Sequence, residues 1–415
     1  MQHVTVPPHR RDGGPPGVAE APAFVRRALA DAVNTALVGV RRVAVLTGGG
    51  IDSSVLLALA MEWANRTGGS AFGVGLDFEG PGDDRPHLRA LEKHLGCEVL
   101  RVEPEDATHR IDLLARGADG VPVCHAVTPM IVEMLARARA HGAERVLCGA
   151  GADELFGGSP QALAEIAWRG HPIRAVRAAS RLAGFGEPRV PAWTWVGRPL
   201  FGRALPARLR GWRDRRDPQF VPPLWAGHVL RSYFAERRRL AGVNVRLPPH
   251  TEEERFAAIA DHPYRIVYAW ERLQHENAAG VDLWWPYQDL DLAAAVAALP
   301  PDYLLLGDRW RGLFRASIRD LVPESIRQRE DKAYFEPALR RFVDAVGGLE
   351  SLRELASVRE LVSLGLIDRA AFASAFDRFV AAPDNGEAWV LLWPVLAAEG
   401  FLRGAASGGT ARRAS

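Results

Sequence analysis

The sequence predicts an α/β protein, a parallel sheet with helices on both faces, followed by a mostly helical C-terminal part. Short apolar runs alternate with amphipathic stretches from residue 23 to about 158, the order that β-α-β units produce. From about residue 255 the apolar spacing turns helical, ending in the pattern EAWVLLWPVLAAEGFLR at 387–403, which reads as a core helix. Glycines also cluster twice where a strand pattern gives way to a helix pattern, at 48–50 and around 149–151.

Taken in order, AFVRRALADAVNTALVG (23–39) spaces its apolar residues as a helix and leads into RVAVLT, a buried strand. A helix over 53–65 precedes the strand SAFGVGLDF (70–78), and the helix RPHLRALEKHLG (85–96) precedes the strand CEVLRVE (97–103). The helix TPMIVEMLARARAHG (128–142) then leads into ERVLCGAGADELFGG (144–158), a short strand running into a second glycine turn. Helices of this length between strands require parallel pairing.

The organisation is a flexible arm at 1–22, a nucleotide-binding core at 23–168, an insertion at 169–255, a helical part at 256–403 and a disordered tail at 404–415. The arm has no apolar signal-peptide segment, and no run of 18 apolar residues occurs, so no membrane partner is expected and the cytoplasm is the expected compartment. Between 169 and 239, sixteen arginines face four acids, with Trp193, Trp195, Trp212 and Trp225 among them. The stretch is either a surface for an acidic peptide, carrier or nucleic acid, or an insertion solvated on one face and packed on the other; the second is the more usual use of a charge run.

A net charge of +2 gives no global attraction for nucleic acid, so no nucleic-acid partner is expected. Cys97, Cys124 and Cys148 form no C-x-x-C pair and read as buried thiols. All 52 basic residues except Lys93 and Lys332 are arginine. Each remaining lysine is therefore informative, because arginine fills most surface roles and differs where a compact ammonium is needed.

Gly48, Gly49 and Gly50, followed by Asp52, Ser53 and Ser54, form a strand-to-helix turn whose bare backbone can face an anion at a helix N-terminus. It matches neither the lysine-bearing phosphate loop nor the G-x-G-x-x-G dinucleotide turn. The plain alternative is a tight turn with Asp52 as helix N-cap. A second turn, LCGAGADELFGG (147–158), again sets an acid, Asp153, at a helix start. Two acids at the ends of parallel strands suit one Mg²⁺ over a triphosphate.

These two motifs resemble the synthetase part of the asparagine synthetase family, which β-lactam synthetases and lasso peptide cyclases share. The family's loop Ser-Gly-Gly-[Leu/Ile]-Asp-Ser-Ser stands here as Gly48-Gly49-Gly50-Ile51-Asp52-Ser53-Ser54, and its second motif as Cys148 through Gly158. The stretch LVPESIRQREDKAYFEPAL (321–339) is similar to its Leu-Pro-Glu…Arg-x-x-Lys segment. The resemblance implies a pyrophosphate-loop (adenine nucleotide α-hydrolase-like) core using ATP and Mg²⁺. Thr47, Gly48, Gly49, Gly50, Asp52, Ser53, Ser54, Gly149 and Gly151 would bind the nucleotide, Asp52 and Asp153 the metal, and Lys332 would be catalytic. The implied reaction is adenylation of a carboxylate followed by attack of an amine, with AMP and pyrophosphate released, in specialised biosynthesis. Carboxylate substrate and amine nucleophile, small molecule or peptide, are the implied partners, with a separate glutaminase or a peptide or carrier protein as further candidates.

Three departures qualify the resemblance. Met1-Gln2 opens the chain and the loop follows within 50 residues, so no glutaminase of its own is expected. Ala150 stands where the family has an acid or tyrosine that helps deprotonate the amine; Glu276 and Asp282 are the candidate replacements. Gly48 replaces the loop serine, and Thr47 is the candidate to supply that hydroxyl. Asp289, in WPYQDLDL, reads as structural. A lasso-type macrolactam cyclase, a tRNA-modifying adenylating enzyme and a degenerate nucleotide-binding partner are the alternative functions.

Overall fold

The computed structural model describes residues 15–80, 83–113, 125–157, 163, 166–168, 170–182, 221–241, 251–330, 335–382 and 386–413. Helix α1 (Ala21–Ala36) buries Val25, Leu29, Ala32, Val33 and Ala36, a stripe of helical period, and feeds strand β1 (Arg42–Leu46). Helix α2 (Ile51–Thr67) is ended by Gly68 in the left-handed region. Then come β2 (Ser70–Leu76), α3 (Arg85–Leu95), β3 (Val99–Val102), α4 (Thr128–Ala140) and β4 (Arg145–Leu147).

All pairings within the sheet are parallel and its order is β3-β2-β1-β4-β5. The fifth strand, β5 (Asp282–Trp284), pairs Arg145 with Asp282 at the sheet edge. Three residues are too short to show an alternation, and the sequence reading did not find it. Short helix α5 (Ala152–Phe156) follows β4, and helix α6 (Pro263–Ala279) leads into β5.

Alternate residues of β1 face opposite sides of the sheet. Val43 and Val45 join the core with Leu29, Leu56 and Phe314, while Ala44 joins Phe72, Met130, Val146 and Trp393. The chain leaves β1 toward β2 on one side and returns on the other as β4. Such a reversal opens a crevice at the carboxyl ends of the central strands.

The described parts of the arginine-rich stretch pack on the helical half. Ala175, Ala178 and Ala179 pack with Leu305, and Trp225 meets Phe372 edge-on at 5.8 Å. Trp193, Trp195, Trp212 and Cys124 lie outside the described residues, while Cys97 and Cys148 are free and only half-buried. The closing helix spans Gly386–Arg413. A helix already nucleated by a packed segment propagates at little cost.

Candidate nucleotide and metal site

The N-cap of α2 is Gly50, which places Asp52 inside the first helical turn rather than at the cap. The carboxylate is thereby free of capping duty. Gly149, after β4, packs so closely that a Cβ there would lie 3.2 Å from Ser53 N and 3.3 Å from Asp52 Cβ. Gly151 caps α5 with φ 98°, and Asp153 stands in that helix's first turn. Both glycine turns therefore meet in the crevice, each presenting one acid.

One cation holds both acids. Arg311 Nη1 donates to Asp52 Oδ2 at 3.0 Å and to Asp153 Oδ1 at 3.2 Å, and its Nη2 bonds Asp52 Oδ1. The arginine is buried. Burial works against its charge, but the Asp52 and Asp153 carboxylates together outweigh that and raise its pKa. Its backbone is left-handed, with φ 56°, a strained conformation for a residue with a side chain.

Aromatic packing supports this centre. The Tyr287 hydroxyl donates to the Asp52 carbonyl at 2.9 Å, and its ring meets Phe156 and Phe314 edge-on at 6.2 and 6.1 Å. Phe156 stacks on Phe314 at 4.6 Å, and the Arg311 guanidinium lies 4.7 Å from the Phe314 ring. Burial, reinforced by the Asp52 charge, pushes the Tyr287 phenol well above its ordinary range, so it stays a donor.

The glycine loop has its own clamp. Arg329 Nη1 donates to Gly49 O at 3.3 Å and to Asp84 Oδ1 at 2.6 Å, and both partners of that ion pair are 4% exposed. Ser53 Oγ lies 3.4 Å from Gly48 N, Gly50 O and Thr47 Oγ1. Thr47 is buried beneath the loop, its hydroxyl engaged with Ser53. Ser54 is fully buried and its Oγ has no hydrogen-bond partner.

Lys332 and Gly158 lie outside the described residues. Lys332 follows the loop-bound Arg329 by three residues, a span of at most ~11 Å. On its other side Phe335 packs against Phe78, just beyond β2, with ring centroids 6.5 Å apart.

The residues fit Mg²⁺. Two carboxylates converge on a single nitrogen, as they would on one metal ion, and among the described residues no cluster of three or more acidic, histidine or cysteine ligands forms. Mg²⁺ characteristically takes one or two carboxylates and completes its shell with phosphate oxygens and water.

The two candidate replacement bases are placed elsewhere. Asp282 opens β5 at the opposite edge of the sheet, bonded by Arg145 Nε at 2.7 Å and by the Trp284 indole at 2.9 Å. Glu276 accepts from Leu283 N and Arg272 Nε, both at 2.8 Å. Both are structural ties. Asp289 caps helix α7 (Leu290–Ala297), accepting from Leu292 N at 2.9 Å, the structural role read from sequence.

Sequence reasoning missed Arg311, Asp84 and Tyr287, and gave Arg329 no role. Arg311 is 259 residues from its Asp52 partner and one arginine among many. A comparison with proteins of curated function returns no match. A comparison with protein families matches residues 24–403 to asparagine synthase, and the chain belongs to that family of ATP-dependent, amide-forming ligases.

Proposed function

We propose that the protein activates a carboxylate with ATP and joins it to an amine, releasing AMP and pyrophosphate. The convergence of Asp52 and Asp153 on one guanidinium nitrogen beside the Gly48–Ser54 loop carries this reading. A carboxylate oxygen attacks the α-phosphorus, the bond to the β-phosphate oxygen breaks, and pyrophosphate leaves. The amine nitrogen then bonds the acyl carbon, and the carbon–oxygen bond to AMP breaks.

The chain's residues divide the work. The turn from Gly48 to Ser54, at the start of the 17-residue α2, presents backbone N–H groups to the departing pyrophosphate. Asp52 and Asp153 would hold Mg²⁺, which when bound neutralises phosphate charge. Arg311, relieved of two carboxylates, supplies a second positive charge at the triphosphate. Lys332 would bring a compact ammonium to the phosphoryl and acyl oxygens as charge develops there. Ala150 leaves the amine's proton without the family's acceptor, in keeping with a specialised acid and amine.

The test is exchange of labelled pyrophosphate into ATP across a panel of amino acids, N-carboxyalkyl amino acids and peptides with side-chain carboxylates. Acid-dependent exchange and AMP are expected, and Lys332→Ala should lower exchange by about 100-fold or more. Formation of ADP and phosphate, or full exchange in Lys332→Ala, overturns the reading. ATP binding without any exchange favours the non-catalytic partner instead.

A further inference from the structure

We infer that His125, held by Glu271, accepts the proton of the attacking amine; this rests on the synthetase reading above. The argument starts from topology. Helix α4 precedes β4 and α6 precedes β5, so both helices begin at the carboxyl edge of the parallel sheet, where the nucleotide turns stand. His125 lies three residues before α4, and Tyr268, Glu271 and His275 follow one face of α6.

That face reaches the site. Tyr268 OH donates to Glu154 Oε1 at 2.9 Å, one residue beyond Asp153, and its ring meets Trp285 edge-on at 5.3 Å. One turn further along, Glu271 Oε1 lies 2.9 Å from His125 Nε2. The Glu271 charge is felt at the Cys148 thiol, two residues before Ala150. Cys148, Ala150, Val127 and Tyr268 all border one apolar cluster that contains Trp285. The pair therefore stands on the helix face that is tied to Glu154, with Glu271 near the Cys148 thiol, two residues before Ala150.

Exposure assigns the roles. The His125 side chain is 61% exposed and can meet an incoming amine, whereas that of Glu271 is 17% exposed and can fix the imidazole. With Nε2 turned to the carboxylate, the neutral ring keeps its hydrogen there and leaves Nδ1 as acceptor. The two groups stand in direct ion-pair contact at 2.9 Å. Beside it His275, 5% exposed, has no partner for Nε2. A buried polar atom of that kind marks a place where a ligand or its water completes the bonding.

As the nitrogen–carbon bond forms and the bond to AMP breaks, the proton on nitrogen passes to His125 Nδ1. Glu271 is a positioning residue. The titratable groups facing the pair are His275, Cys148 and the Tyr268–Glu154 couple. Arg272 turns away to Glu276 and Asp282, and Glu133 of α4 is engaged by Arg110 and Arg137. Burial drives His275 down to about 4, so it is neutral at working pH. The Glu271 contact instead raises the His125 imidazole.

The experiment takes the acid with the strongest exchange in the panel and compares ammonium chloride with hydroxylamine as nucleophiles. In His125→Gln, ammonia-dependent amide formation should fall about 100-fold beyond any loss of exchange, and hydroxylamine, a weaker base, should be affected less. In Glu271→Gln the rising limb of the pH profile should move to lower pH, because the carboxylate that raises His125 is gone. Amide formation that falls only in step with exchange in His125→Gln, or an unmoved limb in Glu271→Gln, overturns the inference. Absence of exchange in the wild-type protein with every acid overturns the synthetase reading instead.

Discussion

Asp84 Oδ2 lies 2.9 Å from where a Cβ on Gly48 would stand. This explains why the loop lacks the family's serine: the space is taken by a carboxylate that the buried Arg329 holds in place. Gly48→Ser should therefore cost about 1–3 kcal/mol through overpacking. Asp84→Ala should itself cost about 3–5 kcal/mol, because it takes the carboxylate away from the buried Arg329 guanidinium. A double-mutant cycle by urea unfolding checks the coupling, and additive losses would show that Asp84 does not exclude the serine. Arg311 invites a second test. In the wild type, Mg²⁺ without nucleotide should raise the melting temperature little, since Asp52 and Asp153 already share a cation. In Arg311→Met, Mg²⁺ should restore several degrees of a lowered melting temperature; equal responses in the two proteins would refute that neutralisation.

At the scale of elements, Tyr287, Phe156 and Phe314 tie three segments to one point. Phe156 belongs to α5, Phe314 to helix α8 (Gly312–Ser317) and Tyr287 to the turn after β5. Phe314→Ala should cost about 3–5 kcal/mol, and it should lower pyrophosphate exchange beyond the unfolded fraction because Arg311 loses its platform. Calorimetry with exchange assays on the folded fraction separates the two losses. This contact pattern also shows what a sequence can display. Asp52 and Asp153 were legible because each acid sits beside its own glycine turn, within a few residues of chain. Arg311 was not, because its partners are 259 and 158 residues away and its residue type is everywhere in this chain. Arg329 was visible as part of the segment ending at Lys332, yet its hold on Gly49 depends on a contact 280 residues distant. Glu276 and Asp282 misled because charge near a motif says nothing about which edge of the sheet it faces.

Across the whole molecule, the alternating strands and helices of the first half were readable because each carries its own period, whereas the helical half is fixed by docking between segments. Its last contact shows how. Helix α9 (Arg359–Ser363) starts at Val358, whose side chain cannot cap and whose φ is 42°. The cap comes instead from Glu399 in α10 (Gly386–Arg413). Its fully buried carboxylate accepts from Glu360 N and Leu361 N, each at 3.1 Å, and from Arg403 Nε at 2.8 Å. Trp393 of the same helix joins the core with Ala44 and Phe72 of the sheet, on the face opposite α1 and α2. Glu399→Ala removes the acceptor of two helix N–H groups and one of the acceptors of Arg403, so it should cost about 2–4 kcal/mol. Glu399→Gln keeps one oxygen for the cap and should cost roughly half as much. Because this contact serves the sheet's far face, both variants should unfold at lower urea while exchange per folded molecule stays unchanged. Exchange that falls with the cap while the protein remains folded would show instead that α10 is coupled to the nucleotide edge.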